Sequence, residues 1–445
     1  MKQEKGSRKS INVNMPPKYW ARKPLSSVPG KFVAGILAAG VARRLEPISS
    51  ILAKPMFPLG GDFPICQNWV ERLERVGIRQ IGMNLHAVPI SITDHFGDGS
   101  AFLTDISYVH EAAAPSGTLG GAIKIMERLE ESLGPAFDTI IVPSGDVISE
   151  MSDDDFMAML AFHKQNGAAA TLLLTPVAWH TLGEFGTVEL EGIKVSRDRA
   201  VDNASYARIE TFNEKDPNAA SNLVNASCYI FERSFLEALR PFLTECTPDR
   251  DKVPQPFYDF GQHVFPAMLG KLAYRPELAK YGNALFGFVS NALWFDIGRK
   301  RDYLEVNKSA LLGHIGLHVP YAKMPGGYFL GVNTRIAENV TIVPPVIIGN
   351  DCEISAGATI GPNTVIGSGW KVGRGSSVVD TVAWQHYSYT NIPNLRQIGE
   401  NLAIEKCILV GGVVEESLRE KVVDLRADGQ VVTTGIDVVP TLPRA

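Results

Sequence analysis

A glycine-bearing turn follows the first apolar run of the chain and carries two basic residues. The run Phe32–Leu37 is followed by Ala38, Ala39 and Gly40, and then by Arg44 and Lys54. A small turn after a strand lets backbone N–H groups approach a phosphate, and cations neutralise its charge. The spacing fits neither the GxxxxGK[ST] loop nor the GxGxxG fingerprint. The residues therefore indicate a phosphate site, with a plain strand–turn–helix junction as the alternative.

The elements around this turn follow an alternating pattern. From Lys31 to about Gly313, short apolar runs alternate with amphipathic stretches, which predicts an α/β domain of nucleotide-binding type with a parallel sheet covered by helices. The predicted strands are Phe32–Leu37, Ile78–Asn84, Ile140–Val142 and Thr171–Leu174, and the predicted helices are Ile65–Val76 and Asp153–Gln165.

A second region has a strict period of six residues. The repeated aliphatic positions are Ile336, Ile342, Ile348, Ile354, Ile360, Ile366, Val372 and Val378. This period fits neither a helix nor a flat strand, whereas a coil with three short sides needs one inward aliphatic on each side. The spacing resumes at Ile398, Ile404 and Val410 after Tyr387–Gln397, which we interpret as a loop. The region is predicted to be a parallel β-helix.

Composition narrows the classes of protein and partner. The chain has 445 residues, 43 Lys plus Arg against 48 Asp plus Glu, and a formal charge of -5. Its length predicts two or three domains, and its weak acidity disfavours a nucleic-acid partner. No run is apolar enough to span a membrane, and the five scattered cysteines signal neither disulfides nor a zinc site. We expect a cytoplasmic protein.

The predicted boundaries follow these patterns. Residues 1–30 are expected to form a flexible basic tail rather than a membrane or RNA contact, since they hold seven basic residues and no apolar run. The remaining segments are an α/β domain over 31–315, a linker over 316–333, the coil over 334–412 and a C-terminal tail over 413–445, with a helix at Glu415–Leu425 and a weak strand at Val431–Val432.

Seven short motifs stand in one order across residues 34–307. They are Leu37–Pro47 followed by Ala53–Pro55; Glu111 with Pro115–Ala122; Ser144–Asp146; Glu184–Gly186; Glu214–Pro217; Asn225–Tyr229; and Trp294–Gly298. Together they resemble the signatures of the sugar-1-phosphate nucleotidyltransferase family. The resemblance implies a Rossmann-like domain with a mixed, mostly parallel sheet, followed here by a left-handed parallel β-helix.

The resemblance also implies roles for single residues. In the family reaction, a sugar-1-phosphate attacks the α-phosphorus of a nucleoside triphosphate and expels pyrophosphate. Arg44 would hold the pyrophosphate, Lys54 would contact the α-phosphate, and Asp146 and Asp296 would ligate Mg²⁺. The other implied contacts are Leu37, Ala39, Gly40, Arg44, Glu111, Gly117 and Thr118 for the nucleotide, and Gly145, Gly186, Glu214, Lys215 and Asn225 for the sugar phosphate.

Some of these residues also have plain structural interpretations. Asp146 could cap a helix, Asp296 could be an ordinary loop carboxylate, and Glu214 with Lys215 could form an exposed ion pair. Their positions within the ordered motifs favour the site.

The base and the sugar are narrowed by two further observations. A carboxylate only accepts hydrogen bonds, and guanine offers two donors on one edge, so Glu111 favours GTP. The segments Asn84–His86, His95–Ser100 and Ile106–Val109 resemble mannose-1-phosphate guanylyltransferases with a hexapeptide-repeat tail. We therefore expect GTP and a mannose-1-phosphate-like sugar.

Several positions depart from the family signatures. Ala42, Arg43 and Ala53 replace a glycine, a threonine and a proline of the first motif, and Ser116 and Ser227 replace a leucine and a glycine. An alanine at a position with positive φ costs on the order of 1 kcal/mol. These departures leave two alternatives open: an unusual sugar or cyclitol phosphate as substrate, or a catalytically weak regulatory subunit.

The coil suggests two further properties. An acyltransferase activity would need a histidine at a coil interface, and His386 is the histidine near the repeats, so this alternative is disfavoured. Coils of this kind expose long flat sides, so we expect a homo-oligomer assembled partly through residues 334–412.

Overall fold

The computed structural model describes residues 25–197, 201–244, 252–316, 319–385, 387, 394–425 and 431–436. Most of the predicted N-terminal tail, the C-terminal end of the chain and His386 lie outside the described residues. At the end of that predicted tail, Val28 is buried and joins the core of the first domain. Among the described helices, none combines the length and the apolar character needed to cross a bilayer.

In its described residues, the first domain has thirteen strands and seven α-helices. The strands are β1 Phe32–Leu37, β2 Pro58–Leu59, β3 Phe63–Pro64, β4 Gln80–Leu85, β5 Asp105–His110, β6 Thr139–Pro143, β7 Val147–Ser149, β8 Ala170–Pro176, β9 Gly186–Leu190, β10 Tyr206–Glu214, β11 Leu223–Glu232, β12 Leu285–Val289 and β13 Trp294–Asp296. The helices are α1 Gln67–Val76, α2 Pro89–Phe96, α3 Gly117–Leu133, α4 Asp153–Gln165, α5 Arg233–Leu239, α6 Phe265–Met268 and α7 Lys300–Leu311. All the strands and helices predicted for this domain are present.

Nine of these strands form one sheet in the order β5-β4-β1-β6-β11-β8-β12-β10-β9. The half made of β5, β4, β1 and β6 is parallel. Strand β11 pairs antiparallel with both β6 and β8, and β10 pairs antiparallel with both of its neighbours. The sheet is mixed, as predicted, but the prediction that it is mostly parallel fails in the second half, where β8 and β12 pair in parallel and the other pairs are antiparallel. A buried apolar strand has the same pattern in either direction, so the sequence did not distinguish them.

A small ribbon stands beside the main sheet. Strands β7 and β13 pair antiparallel, with Asp296 opposite Val147. Because Asp146 directly precedes β7 and Asp296 ends β13, this pairing brings two distant parts of the chain together at one point.

The second domain is the predicted coil. Its strands are β14 Ala322–Lys323, β15 Phe329–Leu330, β16 Arg335–Ile336, β17 Thr341–Ile342, β18 Val346–Ile348, β19 Glu353–Ile354, β20 Thr359–Ile360, β21 Thr364–Ile366, β22 Lys371–Val372, β23 Ser377–Val379, β24 Val382–Ala383, β25 Arg396–Ile398, β26 Ala403–Glu405, β27 Ile408–Leu409, β28 Gly412–Val414, β29 Leu418–Arg419, β30 Lys421–Leu425 and β31 Val431–Gly435. They form three sheets, and within each sheet the strands of successive turns pair in parallel. The left-handed winding of the coil stays a prediction.

The coil is longer than predicted at both ends. The predicted linker contributes β14 and β15, and β15 pairs with β18 of the coil. The helix predicted at Glu415–Leu425 is wrong, because this segment forms β29 and β30. Its aliphatic residues Leu418 and Val423 join the interior of the coil instead of one face of a helix. The predicted strand at Val431–Val432 is confirmed as part of β31, and most of the predicted loop at Tyr387–Gln397 lies outside the described residues.

One side of the coil packs against the first domain. Its outward residues Ile347, Val365 and Ile408 are buried and belong to the same apolar core as Phe57 and Tyr303. The outward residues of another side are charged or polar and exposed: Arg335, Glu353, Lys371 and Gln397. The two domains therefore share one core along a single side of the coil.

Candidate active site

The turn after β1 retains its shape although alanine replaces the signature glycine. Ala42 has φ 51° and ψ 42°, which is the left-handed conformation. Leu37 at the end of β1 accepts a hydrogen bond from Gly145 N at 2.8 Å, and Ala39 is buried. Gly40 is exposed, and a side chain there would meet open space. The turn thus leaves its backbone accessible from one side.

A lysine between two aspartates forms the centre of the site. The Lys54 Nζ lies 2.6 Å from Asp146 Oδ2 and 3.0 Å from Asp296 Oδ1. The Lys54 side chain is 8% exposed, whereas those of Asp146 and Asp296 are 27% and 32% exposed. The lysine is therefore enclosed by protein, and the two carboxylates face both the lysine and the solvent.

The charges of this cluster support one another. Burial alone would lower the pKa of Lys54, but the carboxylates of Asp146 and Asp296 outweigh it and raise this pKa. For Asp146, burial alone would raise the pKa, but the Lys54 ammonium and a hydrogen bond from Ser144 Oγ at 2.5 Å lower it. Lys54 and Asp146 are accordingly both charged at neutral pH.

Arg44 lies close to the same cluster. A Cβ placed on Gly298 would be 3.1 Å from Arg44 Nη2, so the guanidinium lies over the segment that follows Asp296. Arg44 is exposed. Of the four residues expected to hold the pyrophosphate, the α-phosphate and Mg²⁺, Lys54 contacts Asp146 and Asp296, and Arg44 lies beside them.

Glu111 has a different environment from the one that the argument for guanine requires. Glu111 is buried, with 2% of its surface exposed. One carboxylate oxygen accepts a hydrogen bond from Asn84 Nδ2 at 2.9 Å, and the other accepts one from Ser116 N at 2.5 Å. Asn84 in turn accepts a bond from Ala38 N at 2.8 Å. Glu111 thus links the first turn to the start of α3, and this geometry gives no support to a contact with the base.

Gly117 and Thr118 begin helix α3. Gly117 has φ 79°, and a Cβ there would lie 2.4 Å from Tyr258 O, so only glycine fits. Thr118 Oγ1 donates to Asp259 Oδ2 at 3.0 Å and accepts from Phe260 N at 2.8 Å. Both residues therefore hold the segment around Asp259 against the helix start.

A second cluster contains the predicted sugar contacts Gly186, Glu214 and Lys215. Gly186 pairs with Glu214 across β9 and β10, and a Cβ on Gly186 would lie 2.8 Å from Glu214 Oε2. Burial and, next, the charge of Asp259 raise the pKa of Glu214. The Lys215 side chain is 61% exposed, and its Nζ is 3.9 Å from Glu214 Oε1. The weak pairing leaves the lysine donors available to an anion.

Asn225 lies in a bulge next to the Asp146 turn. Its Oδ1 accepts from Ser227 N at 3.1 Å, and its Nδ2 donates to Tyr229 Oη at 2.9 Å. Ser227 has φ 55°, which accounts for the glycine that the family has there. Ser227 O accepts from Ser144 N at 2.8 Å, so the bulge fixes the turn that carries Asp146.

Sequence reasoning did not assign roles to Asn84, Ser144 and Asp259. Ser144 stands inside a quoted motif, two residues before Asp146, and this spacing could have indicated it. Asn84 and Asp259 act through residues distant in sequence, and no local pattern indicates such contacts.

The donor set fits a hard divalent cation. Carboxylate oxygens are the ligands that Mg²⁺ prefers, and it commonly binds one or two of them together with water and phosphate oxygens. Among the described residues, no group of three or more His, Cys, Asp or Glu could hold a metal ion alone. Asp146 and Asp296 are both partly open to solvent. They match a site in which two carboxylates bind the ion and substrate phosphates or water supply the remaining ligands.

Comparison with known proteins agrees with this geometry. Residues 33–312 match the family described as nucleotidyl transferase, and residues 329–362 match the bacterial transferase hexapeptide family of six repeats. The chain belongs to the sugar-1-phosphate nucleotidyltransferase family. As the sequence predicts, the nucleotidyltransferase domain is followed by a region of hexapeptide repeats.

The names of the relatives of this chain state different substrates. It is 28% identical to a UTP–glucose-1-phosphate uridylyltransferase of Synechocystis, over 72% of this chain and 79% of the relative. It is 29% identical to a mannose-1-phosphate guanylyltransferase of Mycobacterium tuberculosis, over 70% and 76%. It is 27% identical to a glucose-1-phosphate adenylyltransferase of Desulforamulus reducens, over 63% and 64%. The comparisons therefore identify the reaction type and leave the base and sugar open.

Proposed function

We propose that this protein transfers a nucleotidyl group from GTP to mannose-1-phosphate and releases pyrophosphate, with Mg²⁺ as its metal. The observation that carries the proposal is the Lys54 ammonium between the carboxylates of Asp146 and Asp296. A reaction between two phosphate groups needs cations and metal ligands at one point, and this cluster supplies both.

The chemistry of the step requires no covalent intermediate with the protein. An oxygen of the sugar phosphate forms a bond to the α-phosphorus, and the bond from that phosphorus to the bridging oxygen of the β-phosphate breaks. Negative charge grows on the α-phosphate and on the departing pyrophosphate. Lys54 is proposed to stabilise the first charge and Arg44 the second.

Asp146 and Asp296 are the residues that would hold Mg²⁺. When bound, the ion neutralises phosphate charge and so favours the approach of two anions. Lys215 is proposed to bind the sugar phosphate, with Glu214, Gly186, Gly145 and Asn225 around the sugar. Leu37, Ala39, Gly40, Gly117 and Thr118 are proposed to surround the nucleotide, and Glu111 to position them.

The choice of GTP and mannose-1-phosphate has two supports. Three segments between residues 84 and 109 resemble mannose-1-phosphate guanylyltransferases, and one such enzyme is 29% identical to this chain. Glu111 is not among the supports, because both of its oxygens already accept protein hydrogen bonds.

Ala42 bears on the alternative of a weak regulatory subunit. Its left-handed conformation preserves the turn, and Arg44, Lys54, Asp146 and Asp296 are all in place. These observations favour an active enzyme. An unusual sugar or cyclitol phosphate stays the alternative substrate.

We also propose a homo-oligomer assembled partly through residues 334–412. One side of the coil is buried against the first domain, so the contact would use the other sides, such as the one with Glu353 and Lys371. Light scattering would give a multiple of 48.4 kDa, and a particle of 48.4 kDa would contradict the proposal.

The substrate proposal is tested by pyrophosphate release. GTP, ATP, UTP, CTP and dTTP are each offered with mannose-1-phosphate and with glucose-1-phosphate, in Mg²⁺. Release confined to GTP with mannose-1-phosphate supports the proposal. Release with another pair overturns the substrate assignment and leaves the reaction type intact.

A further inference from the structure

Among the described residues, strand β7 has a single strand partner, although it directly follows Asp146. It pairs with β13 on one edge, and these two strands form a separate sheet. The carbonyl groups of Val147 and Ser149 point away from β13. Buried carbonyl groups on the open edge of a strand are costly in free energy unless other donors bind them.

Two side chains of helix α1 supply these donors. Trp69 Nε1 donates to Val147 O at 2.9 Å, and Arg72 Nη2 donates to Ser149 O at 2.9 Å. Arg72 Nη1 also donates to Met151 O. The two side chains, one helical turn apart, thus bind alternate carbonyl groups of the segment that follows Asp146.

Both donors are enclosed by protein. Trp69 is 0% exposed and Arg72 is 3% exposed, and the Arg72 guanidinium lies 5.8 Å from the centre of the Trp69 ring. Burial lowers the pKa of Arg72, and Asp153 at 3.3 Å partly offsets this effect. Arg75 lies nearer to the same carboxylate, at 2.8 Å. Arg72 is therefore buried mainly for its hydrogen bonds to carbonyl groups.

Burying a guanidinium costs free energy unless it is hydrogen-bonded. The hydrogen bonds of Arg72 to backbone carbonyl groups offset this cost. Its rigid planar fork can bind Ser149 O and Met151 O at once, which a lysine ammonium on a flexible stem does less well. Asp146 directly precedes β7. It contacts Lys54 and lies next to Val147, which pairs with Asp296 at the end of β13. A shift of this strand would move Asp146 relative to Asp296.

We propose that Trp69 and Arg72 are positioning residues that hold strand β7, and through it the carboxylate of Asp146, in the geometry that nucleotidyl transfer requires. This inference rests on the proposed function for its catalytic consequence. Its structural consequence is independent of any substrate.

The test compares Trp69→Phe and Arg72→Lys with Arg75→Lys. Trp69→Phe removes one N–H donor and retains an aromatic ring. We therefore expect it to destabilise the domain less than Arg72→Lys does. Arg75→Lys is the matched control, because Arg75 is on the same helix and donates its hydrogen bonds to the Asp153 carboxylate. Hydrogen–deuterium exchange is measured over residues 144–151, and kcat and KM are measured with the active substrate pair.

We expect exchange over residues 144–151 to be faster in both test variants than in the wild type. In the control variant it should match the wild type. We expect kcat per folded molecule to fall about tenfold to a hundredfold, with the KM for the nucleotide nearly unchanged, because small displacements of reacting groups are costly. Unchanged exchange, unchanged kcat, or an equal fall in Arg75→Lys overturns the inference. A wild type inactive with every pair overturns the proposed function instead, and the exchange comparison then decides whether the two residues hold β7.

Discussion

The Lys54 ammonium lies 2.6 Å from a carboxylate oxygen of Asp146, at the junction of two segments far apart in the chain. Lys54 lies beyond the turn that follows β1. Asp146 lies in the turn that follows β6, the strand next to β1 in the sheet. Parallel neighbours end at the same edge of a sheet, which explains why the two meet. The β7–β13 ribbon then brings Asp296 to the same ammonium.

Replacing Lys54 should abolish most of the activity. Lys54→Met removes the cation that we place at the α-phosphate, and we expect kcat to fall about 10²–10³-fold. Lys31→Met, at an exposed position just before β1, is the control and should behave as wild type. Steady-state kinetics measures both, and a Lys54→Met variant with wild-type kcat would remove this residue from the mechanism.

The same pair should make stability depend on pH. The pKa of Asp146 is lowered in the folded protein, so its contribution is present above its unfolded pKa of about 3.9 and is lost as the pH falls through the folded value. The pKa of Lys54 is raised, so its contribution is present below about pH 10.4 and is lost as the pH rises through the folded value.

Thermal denaturation measured across pH tests this expectation. The difference in Tm between wild type and Lys54→Met should be widest between about pH 5 and 9. It should narrow below about pH 4, where Asp146 binds a proton in the unfolded chain more readily than in the folded protein, whose Asp146 pKa is lowered. A difference that stays constant down to pH 3 would show that the ion pair does not contribute in this way.

The left-handed Ala42 should be a site of strain. Ala42→Gly relieves the contact of the methyl group and is expected to raise the free energy of unfolding by about 0.5–1 kcal/mol, with activity retained. Ala39→Gly is the matched control, since Ala39 lies in the same turn without a positive φ and should lose stability. Urea denaturation distinguishes the two, and equal effects would argue against strain at Ala42.

The interface between the domains depends on one buried hydroxyl. Tyr303 Oη accepts from Trp384 Nε1 at 2.9 Å and donates to Pro58 O at 2.5 Å. Tyr303→Phe leaves both partners unsatisfied, and we expect the protein to lose about 2–4 kcal/mol of stability. Tyr108→Phe, whose hydroxyl bonds Gly97 O near the surface, should cost less than about 1 kcal/mol. Equal losses in the two variants would contradict this role.

The sequence predicted much of the fold because its patterns are local. The period of six gave the coil, and the runs at Phe32–Leu37 and Asp153–Gln165 match β1 and α4 residue for residue. The antiparallel course of β11 was not predicted, because pairing direction depends on connections that a single apolar run does not contain. The helix expected at Glu415–Leu425 failed because aliphatic residues there suit both a helix face and a coil side.

The contact between coil and first domain was also missed, although a signal for it exists. On the docked side the outward position holds Ile347 and Val365, whereas on an open side it holds Glu353 and Lys371. For the candidate site, the ordered motifs contain Lys54, Asp146 and Asp296, whose side chains the fold brings into contact. The partners of Glu111 were not predictable, since hydrogen bonds between separate loops leave no periodic trace.

The most direct test of the account is nucleoside diphosphate sugar formation by wild type, Asp146→Asn and Asp296→Asn, with Asp94→Asn at an exposed position of α2 as the control. Substrates are those that support the highest wild-type rate, and product is quantified by chromatography in the presence of Mg²⁺. We predict rapid product formation by wild type and Asp94→Asn, and at least a hundredfold slower formation by the other two. Near-wild-type rates in Asp146→Asn and Asp296→Asn would contradict the placement of the reaction at the Lys54 cluster.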